Sequence, residues 1–342
     1  MNTKQKTSIK DIAKKLGVSQ STVSSVLNGK TAERRISDGT THAILAYIEK
    51  SGFRPNGVAR SLRTGCSKII GMLVEDISNP FFASIAHLVE QKVARKGYRI
   101  LLSSTENENK NAGEALATFW ERQVDGYIIV PPAELPDALI RKIFKQKPLV
   151  LFDRTIDSLA ASSVLIDNYN SMVLASNHLI ERGYKNIAFI TIESLQLQMV
   201  DRLNGYKDTL SENQLKTYIA RIDRQLSDDE NKEFIKEFIW AHPEVDAIIF
   251  STNYVALLGL QVIKLLNLKI PLEMGIVGFD DSPYYALMNP AITSIVQPIN
   301  ELADGIVQLM LAQIKNEQNE LLAPRSIRLK AALIPRASTA RY

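Results

Sequence analysis

The 342-residue chain contains a single cysteine, Cys66, which leaves no partner for an internal disulfide and too few thiolates for a cysteine-rich metal site. No apolar run approaches the ~18 residues that span a bilayer, and the opening stretch MNTKQKTSIKDIAKK lacks the apolar core of a secretion signal. Also missing are a Gly-x-Gly-x-x-Gly run after a strand, a phosphate-loop Gly-Lys-Ser/Thr and a Gly-x-Ser-x-Gly elbow. The four histidines, His42, His87, His178 and His242, are scattered without metal-ligand spacing. These absences predict a cytoplasmic protein that is not an enzyme, carries no cofactor or metal and does not touch a membrane. Hydrophobic residues at 45% and charged residues at 23% exclude wholesale disorder, and the length suits two or three domains.

The net charge of +4 is the sum of two unlike parts. Residues 1–65 hold twelve Lys/Arg against four Asp/Glu, a net of +8, while the remaining 277 residues carry −4. A small basic head on a mildly acidic body is the footprint of a polyanion-binding module joined to something else, although a solvated lysine-rich terminus has the same arithmetic.

Apolar spacing in the head is helical. Ile9, Ile12, Ala13 and Leu16 fall at i, i+3, i+4 and i+7, with Ser8 placed as N-cap and Gly17 as the stop. A second helix follows Ser19, buries Val23, Val26 and Leu27, and ends at Asn28-Gly29. A third spans Ser37 to Ser51 with Ala43, Ile44, Tyr47 and Ile48 inward and Gly52 closing it. Two short helices joined by Gly17-Val18 describe a helix-turn-helix, in which the second helix enters the major groove amino end first. Gln20, Ser21 and, one turn later, Ser25 then face base edges, while Ser19, Thr22 and Ser24 present hydroxyls suited to phosphates. The alternative is a three-helix mini-domain with an incidental polar face.

The run Ile9-Lys10-Asp11-Ile12-Ala13, Gly17-Val18-Ser19, Thr22-Val23-Ser24 and Val26-Leu27-Asn28 closely resembles the headpiece of the LacI/GalR family of bacterial repressors. Gly52-Phe53-Arg54-Pro55-Asn56 and Ala59-Arg60-Ser61-Leu62-Arg63-Thr64-Gly65 resemble that family's hinge. The resemblance implies that residues 56–63 form a hinge helix ordered only on operator DNA, with Leu62 as a wedge in the minor groove. Read without the resemblance, the segment is better taken as a flexible basic linker with an incidental leucine. Taken with the helix-turn-helix reading, the expected DNA-contacting set is Ser8, Ser19, Gln20, Ser21, Thr22, Ser24, Ser25, Asn28, Arg34, Arg35, Asn56, Ala59, Leu62 and Arg63. Three features depart from the family. Ser25 stands where an arginine able to read guanine bidentately is common. The segment Gly29 to Ile36 is longer than usual and adds Arg34-Arg35, and Gly57 weakens the hinge helix by roughly 1 kcal/mol relative to alanine.

From residue 68 the pattern becomes βαβα. Strand-like runs occur at 69–74, 98–104, 126–131 and 148–153, and again at 187–192, 247–252 and 274–280. Continuous apolar strands alternating with helices indicate parallel sheets buried on both faces. The expected architecture is an all-α helix-turn-helix headpiece followed by a two-lobed α/β domain of two doubly wound parallel sheets, resembling the periplasmic-binding-protein fold. The expected boundaries are a headpiece at 1–55, hinge helix and linker at 56–67, and an effector-binding and dimerisation domain at 68–342. By resemblance lobe 1 takes about 68–166 and 298–326, lobe 2 about 167–297 and 327–342, with crossings near Asp167, Gln297 and Ile327.

Ligands bind open α/β sheets beyond the carboxyl ends of the strands. Phe81 and Phe82 follow the first strand, where they either stack on a ligand or belong to the core. Arg202, Asn253 and Asp280 match the family's effector-contacting positions, and Asp153 ends a strand in the same way as Asp280. Tyr254 replaces the aspartate expected beside Asn253. An Asp/Asn/Arg set with aromatic walls suits a polyhydroxyl ligand, favouring a sugar or sugar derivative over a purine. The expected protein is a homodimeric, sequence-specific DNA-binding regulator on near-palindromic operator DNA, a repressor of carbohydrate-utilisation genes modulated by a small effector. The competing class is a cytoplasmic sugar-binding receptor without DNA function.

Overall fold

Ser8 caps α1 (Ile9–Leu16) in a reciprocal box with Asp11: its hydroxyl accepts from the Asp11 N–H, and the Asp11 carboxylate accepts from the Ser8 N–H at 2.9 Å. Gly17, at φ 64°, takes the left-handed conformation that ends this helix. Ser19 caps α2 (Gln20–Leu27), and Ser37 caps α3 (Asp38–Ser51), which Gly52 closes at φ 63°. Ile12, Ala13, Val23, Val26 and Ile44 form the small buried core of this unit, Met1–Ser67. Ala43, expected inward, is exposed, because the stripe on α3 runs through Ile44, Tyr47 and Ile48 instead. This computed structural model describes residues 7–53, 65–132, 135, 147–156, 158–315 and 323–341. The expected contacts Asn56, Ala59, Leu62 and Arg63 lie outside the described residues, as does the hinge helix at 56–63.

The second unit, Lys68–Tyr342, is built on two six-stranded sheets. Its first stretch runs β1 (Ile69–Val74), α4 (Pro80–Ala94), β2 (Arg99–Ser104), α5 (Asn109–Glu121), β3 (Gly126–Ile129), β4 (Leu149–Phe152) and β5 (Ser162–Ile166). The second runs α6 (Asn168–Glu181), β6 (Ile187–Ile192), α7 (Leu197–Glu212), β7 (Tyr218–Ile222), α8 (Asp228–Ala241), β8 (Ala247–Phe250), α9 (Asn253–Leu265), β9 (Gly275–Phe279), α10 (Pro283–Leu287) and β10 (Thr293–Val296). Then come α11 (Ile299–Ile314), β11 (Ser326–Leu329) and β12 (Ala332–Ile334).

Strand order is β11-β5-β4-β3-β1-β2 in lobe 1 and β12-β10-β9-β8-β6-β7 in lobe 2, the same winding used twice. Every residue of β3, β4, β8 and β9 is buried, which explains their unbroken apolar sequences. Two details differ from expectation. β12 pairs antiparallel with β10, so the second sheet is parallel only up to that edge. β11 pairs with β5 through Leu329, which keeps Ile327 in lobe 1 and moves the third crossing to Lys330-Ala331. The other crossings follow β5 at Asp167 and β10 at Gln297. Among the described residues no helix is long and apolar enough to cross a membrane.

Candidate functional site

In the first unit the amino end of α2 is its most polar feature. Gln20 and Ser21 are exposed, and the Ser19 hydroxyl lies 2.6 Å from that of Ser21 and 2.8 Å from that of Thr22. Thr22, Ser24 and Ser25 are half-buried on the same helix. Asn28 and Ser8 have local duties as well: Asn28 Nδ2 donates to the Ser24 carbonyl at 2.6 Å, and Ser8 holds the start of α1. The segment between α2 and α3 coils into turns that leave Arg34 and Arg35 exposed, Arg35 at φ 49°. No acidic side chain lies among the exposed residues at the start of α2, so a phosphate approaching there meets hydroxyls and unpaired N–H groups rather than like charge.

In the second unit the carboxyl ends of β1, β4, β6, β8 and β9 converge on a cleft between the lobes. Ligands of open α/β sheets bind in such a crevice beyond the strands' carboxyl ends. Asp153 follows β4 and Asp280 follows β9, both in the left-handed conformation at φ 66° and 60°. Arg202, on the second turn of α7, is buried; its Nε donates to Asn168 Oδ1 at 2.8 Å and its Nη1 to the Ser251 carbonyl at 2.6 Å. The guanidinium also lies 3.6 Å from the Phe279 ring centroid, a cation–π contact that fixes its plane. Gly205 makes this placement possible. A Cβ there would collide with the Tyr169 carbonyl, so only glycine lets α7 lie this close to α6.

Electrostatics in the cleft are balanced. Burial pushes the Asp280 carboxyl above the ordinary carboxylate range, opposed by Arg202 and by Gln297, whose Nε2 donates to Asp280 Oδ1 at 2.5 Å. Burial lowers the Arg202 pKa, opposed by Asp280 and Asp153, and the group remains a cation. Glu75, at the end of β1, is nearly buried. Burial alone would raise its pKa, but Arg154 and Arg224 outweigh that and hold it below the usual range. Asn253 joins Asn79 by reciprocal amide hydrogen bonds of 2.8 and 3.4 Å.

The structure therefore brings Asp153, Arg202, Asn253 and Asp280 to one cleft. Phe81 and Phe82 line it too, yet they are 7% and 5% exposed and pack edge-on into the lobe 1 core with Phe152, as the core alternative expects. Sequence reasoning missed Glu75, Arg154, Arg224 and Gln198. Charged residues just after strands read as solvated loop charges, and the Glu75–Arg224 pairing spans 149 positions. Gln198 lies one helical turn before Arg202, and its buried Oε1 has no hydrogen-bond partner among the described residues. Cys66 is exposed, and no cluster able to hold a metal occurs among the described residues.

Two lobes of identical winding, crossed three times by the chain and closing on a charged polar cleft, make the second unit a periplasmic-binding-protein-like receptor, here joined to a helix-turn-helix unit. The profile of the periplasmic binding protein-like domain matches residues 176–339, and that of bacterial regulatory proteins, lacI family, matches residues 8–56. The ribose operon repressor of Halalkalibacterium halodurans is 32% identical over 91% of both chains. A solved lac repressor dimer, bound to operator and the anti-inducer ONPF, shares the fold with a TM-score of 0.84 over 98% of this chain and 99% of that one, at 20% identity. A periplasmic binding protein/LacI transcriptional regulator from Alkaliphilus metalliredigens, complexed with D-xylulofuranose, gives a TM-score of 0.69 at 27% identity over 79% of this chain and 98% of that one. The chain belongs to the lacI family of bacterial regulatory proteins.

Proposed function

We propose that this protein is a sequence-specific, DNA-binding transcriptional repressor of carbohydrate-utilisation genes, working in the cytoplasm as a homodimer and performing no catalysis. Its effector is a sugar or sugar derivative held between the lobes by Asp153, Arg202, Asn253 and Asp280, with the Phe81 and Phe82 edges as an apolar wall. The observation that carries this reading is the pairing in one chain of an N-capped, acid-free α2 with a cleft whose carboxylates and guanidinium are already oriented by the protein. Carboxylate and guanidinium bind vicinal hydroxyls bidentately, which a polyhydroxyl ligand satisfies better than a flat purine. The sugar named in the Alkaliphilus metalliredigens complex and the operon named for the Halalkalibacterium halodurans relative support the same class.

DNA contact falls to Gln20, Ser21 and Ser25 at base edges, and to Ser19, Thr22, Ser24, Arg34 and Arg35 at phosphates. Ser8 and Asn28 contribute through the ends of α1 and α2, and Asn56, Ala59, Leu62 and Arg63 act from the hinge. Two-fold symmetry in the dimer demands two matching half-sites, hence a near-palindromic operator. Effector binding shifts lobe closure, and the difference in effector affinity between the two states sets the change in operator affinity.

Selection of bound sequences from random DNA by the full chain tests the reading. A near-palindromic consensus with affinity falling steeply with salt is expected, and sequence-independent or negligible binding overturns it. Thermal-shift screening of the full chain against pentoses, hexoses, disaccharides, sugar phosphates, uronic acids and purines identifies the ligand class. A ligand at a hundred times its Kd adds about 2.7 kcal/mol of stability.

A further inference from the structure

We infer that Glu75 is an internal clamp that holds the two lobes together without any effector. The carboxylate stands at the end of β1 in lobe 1, and its two oxygens are divided between the lobes. Oε2 accepts from Arg154, which follows β4 in the same lobe, while Oε1 accepts from Arg224 Nη1 of lobe 2 at 2.6 Å. Arg154 is 6% exposed and cannot leave with the opposite lobe, so Glu75 keeps one partner for life and reaches for the second only across the cleft. Arg224 is held ready by lobe 2, its guanidinium 5.5 Å from the Tyr254 ring centroid.

Two further cross-cleft links lie beside this one. Arg154 Nη1 and Gln196 Nε2 of lobe 2 both donate to Asn107 Oδ1 of lobe 1 at 3.1 Å, so Arg154 ties two links into one network. The Asn79–Asn253 amide pair forms the third. Each is made by the chain's own side chains, and each belongs to a strand end or helix start that faces the opposite lobe. Opening the cleft separates Arg224 from Glu75 and exposes both to water, while Glu75 keeps Arg154. The clamp therefore biases the open–closed equilibrium by a single cross-lobe ion pair, the scale on which two-state elements are tuned. A closed fraction that exists before binding raises apparent affinity for every ligand of the closed state by the same factor, since apparent Kd is the intrinsic Kd divided by the competent fraction. Glu75 and Arg224 are thus positioning residues, acting on ligand affinity through lobe geometry.

The test uses the full chain without added ligand, so its outcome is independent of whether the effector is a sugar. Hydrogen exchange of backbone amides at 105–108 and 194–198, with small-angle scattering in parallel, is compared for the native chain, Arg224→Gln, Glu75→Gln and the double variant. Arg224→Gln is the decisive change, because it removes a half-exposed side chain and leaves Glu75 paired with Arg154. Expected results are faster exchange in both segments and a larger radius of gyration for each single variant, with the double variant no different from Glu75→Gln. Native exchange and native scattering in a folded Arg224→Gln protein overturn the proposal. So does full additivity of the two substitutions, which would mean that the side chains act separately.

Discussion

Asp153 and Asp280 occupy the same place in the two lobes. Each is the first residue beyond a fully buried strand, β4 between β3 and β5 in one sheet and β9 between β8 and β10 in the other, and each has positive φ. Aspartate tolerates that conformation better than most side chains, and in it the carboxylate turns off the strand axis into the cleft. The sites face each other as a related pair, but their partners differ: Asp153 meets Arg154 at 3.2 Å, whereas Asp280 accepts from Gln297.

Asp280→Asn keeps the shape and the tolerated backbone while removing a charge that burial opposes. Because Arg202 loses its strongest counter-charge, the variant is expected to melt below the native temperature, and to bind the proposed effector more than tenfold more weakly, a loss of about 1.5–3 kcal/mol for a hydrogen bond to a charged acceptor. Calorimetric titration beside a melting curve separates the two effects. Unchanged affinity removes Asp280 from the site.

Gly205→Ala is expected to destabilise the body by roughly 1–3 kcal/mol, the cost of an overpacked contact. The new methyl meets the Tyr169 carbonyl and Met172, forcing α7 away from α6 and stretching the Arg202–Asn168 hydrogen bond. Denaturant unfolding reads the first effect and effector titration the second.

Replacing Arg34 and Arg35 together by alanine should weaken operator and non-specific DNA alike. Two lost phosphate contacts reduce the slope of log K against log salt by about 1.8. A change confined to the operator would make them base readers. Ser25→Arg acts in the opposite sense: it should shift the selected consensus toward guanine at one position of each half-site, worth about 1–3 kcal/mol.

His178, in the last turn of α6, has its Nε2 2.8 Å from the Thr339 hydroxyl, tying that helix to the segment after β12. Burial, followed by the neighbouring Arg182, lowers its pKa against the smaller pull of Glu181. The folded state therefore binds this proton less readily than the unfolded chain. Its contribution to stability is whole above the unfolded value, near 6.5, and is lost as pH falls below it. Melting temperatures between pH 7 and pH 5 should fall for the native chain and stay flatter for His178→Gln. Glu75 and Asp281, both held low, act only in the more acidic window below the ordinary carboxylate values.

Leu257 on α9 and Tyr284 and Met288 around α10 leave large apolar side chains in water, at 58%, 74% and 38% exposure. Leu257→Glu combined with Tyr284→Glu should shift sedimentation toward monomer and reduce operator affinity with it, since each half-site then binds alone. A dimer of native strength would place the interface elsewhere.

The central strands were legible in the sequence because burial on both faces leaves them unbroken runs of apolar residues, as in Ile69–Val74 and Ile187–Ile192. β5, β7, β10, β11 and β12 escaped notice. Ser162 and Ser163 are buried but spend their hydroxyls on the neighbouring Arg325–Ser326 edge, and β7 carries Arg221 on its solvent side. The cleft divides in the same way. Arg202 and Asp280 sit in motifs, whereas Glu75, Arg154 and Arg224 matter only for what lies opposite them, which no local pattern records. Even adjacent residues separate on this ground. Asp281 holds Arg336 at 2.8 and 3.0 Å, a structural pair beside a neighbour that lines the inter-lobe cleft.

Three passages of the chain between the lobes mean that neither lobe is a continuous piece of sequence. Lobe 1 needs β11 from near the end, and lobe 2 is finished only by β12. No single cut therefore releases either half intact, and a truncation before residue 326 strips an edge from both sheets at once. The two halves are bound to one fate: they are made together, they should melt in one transition, and recombination can exchange the receptor whole but not by halves.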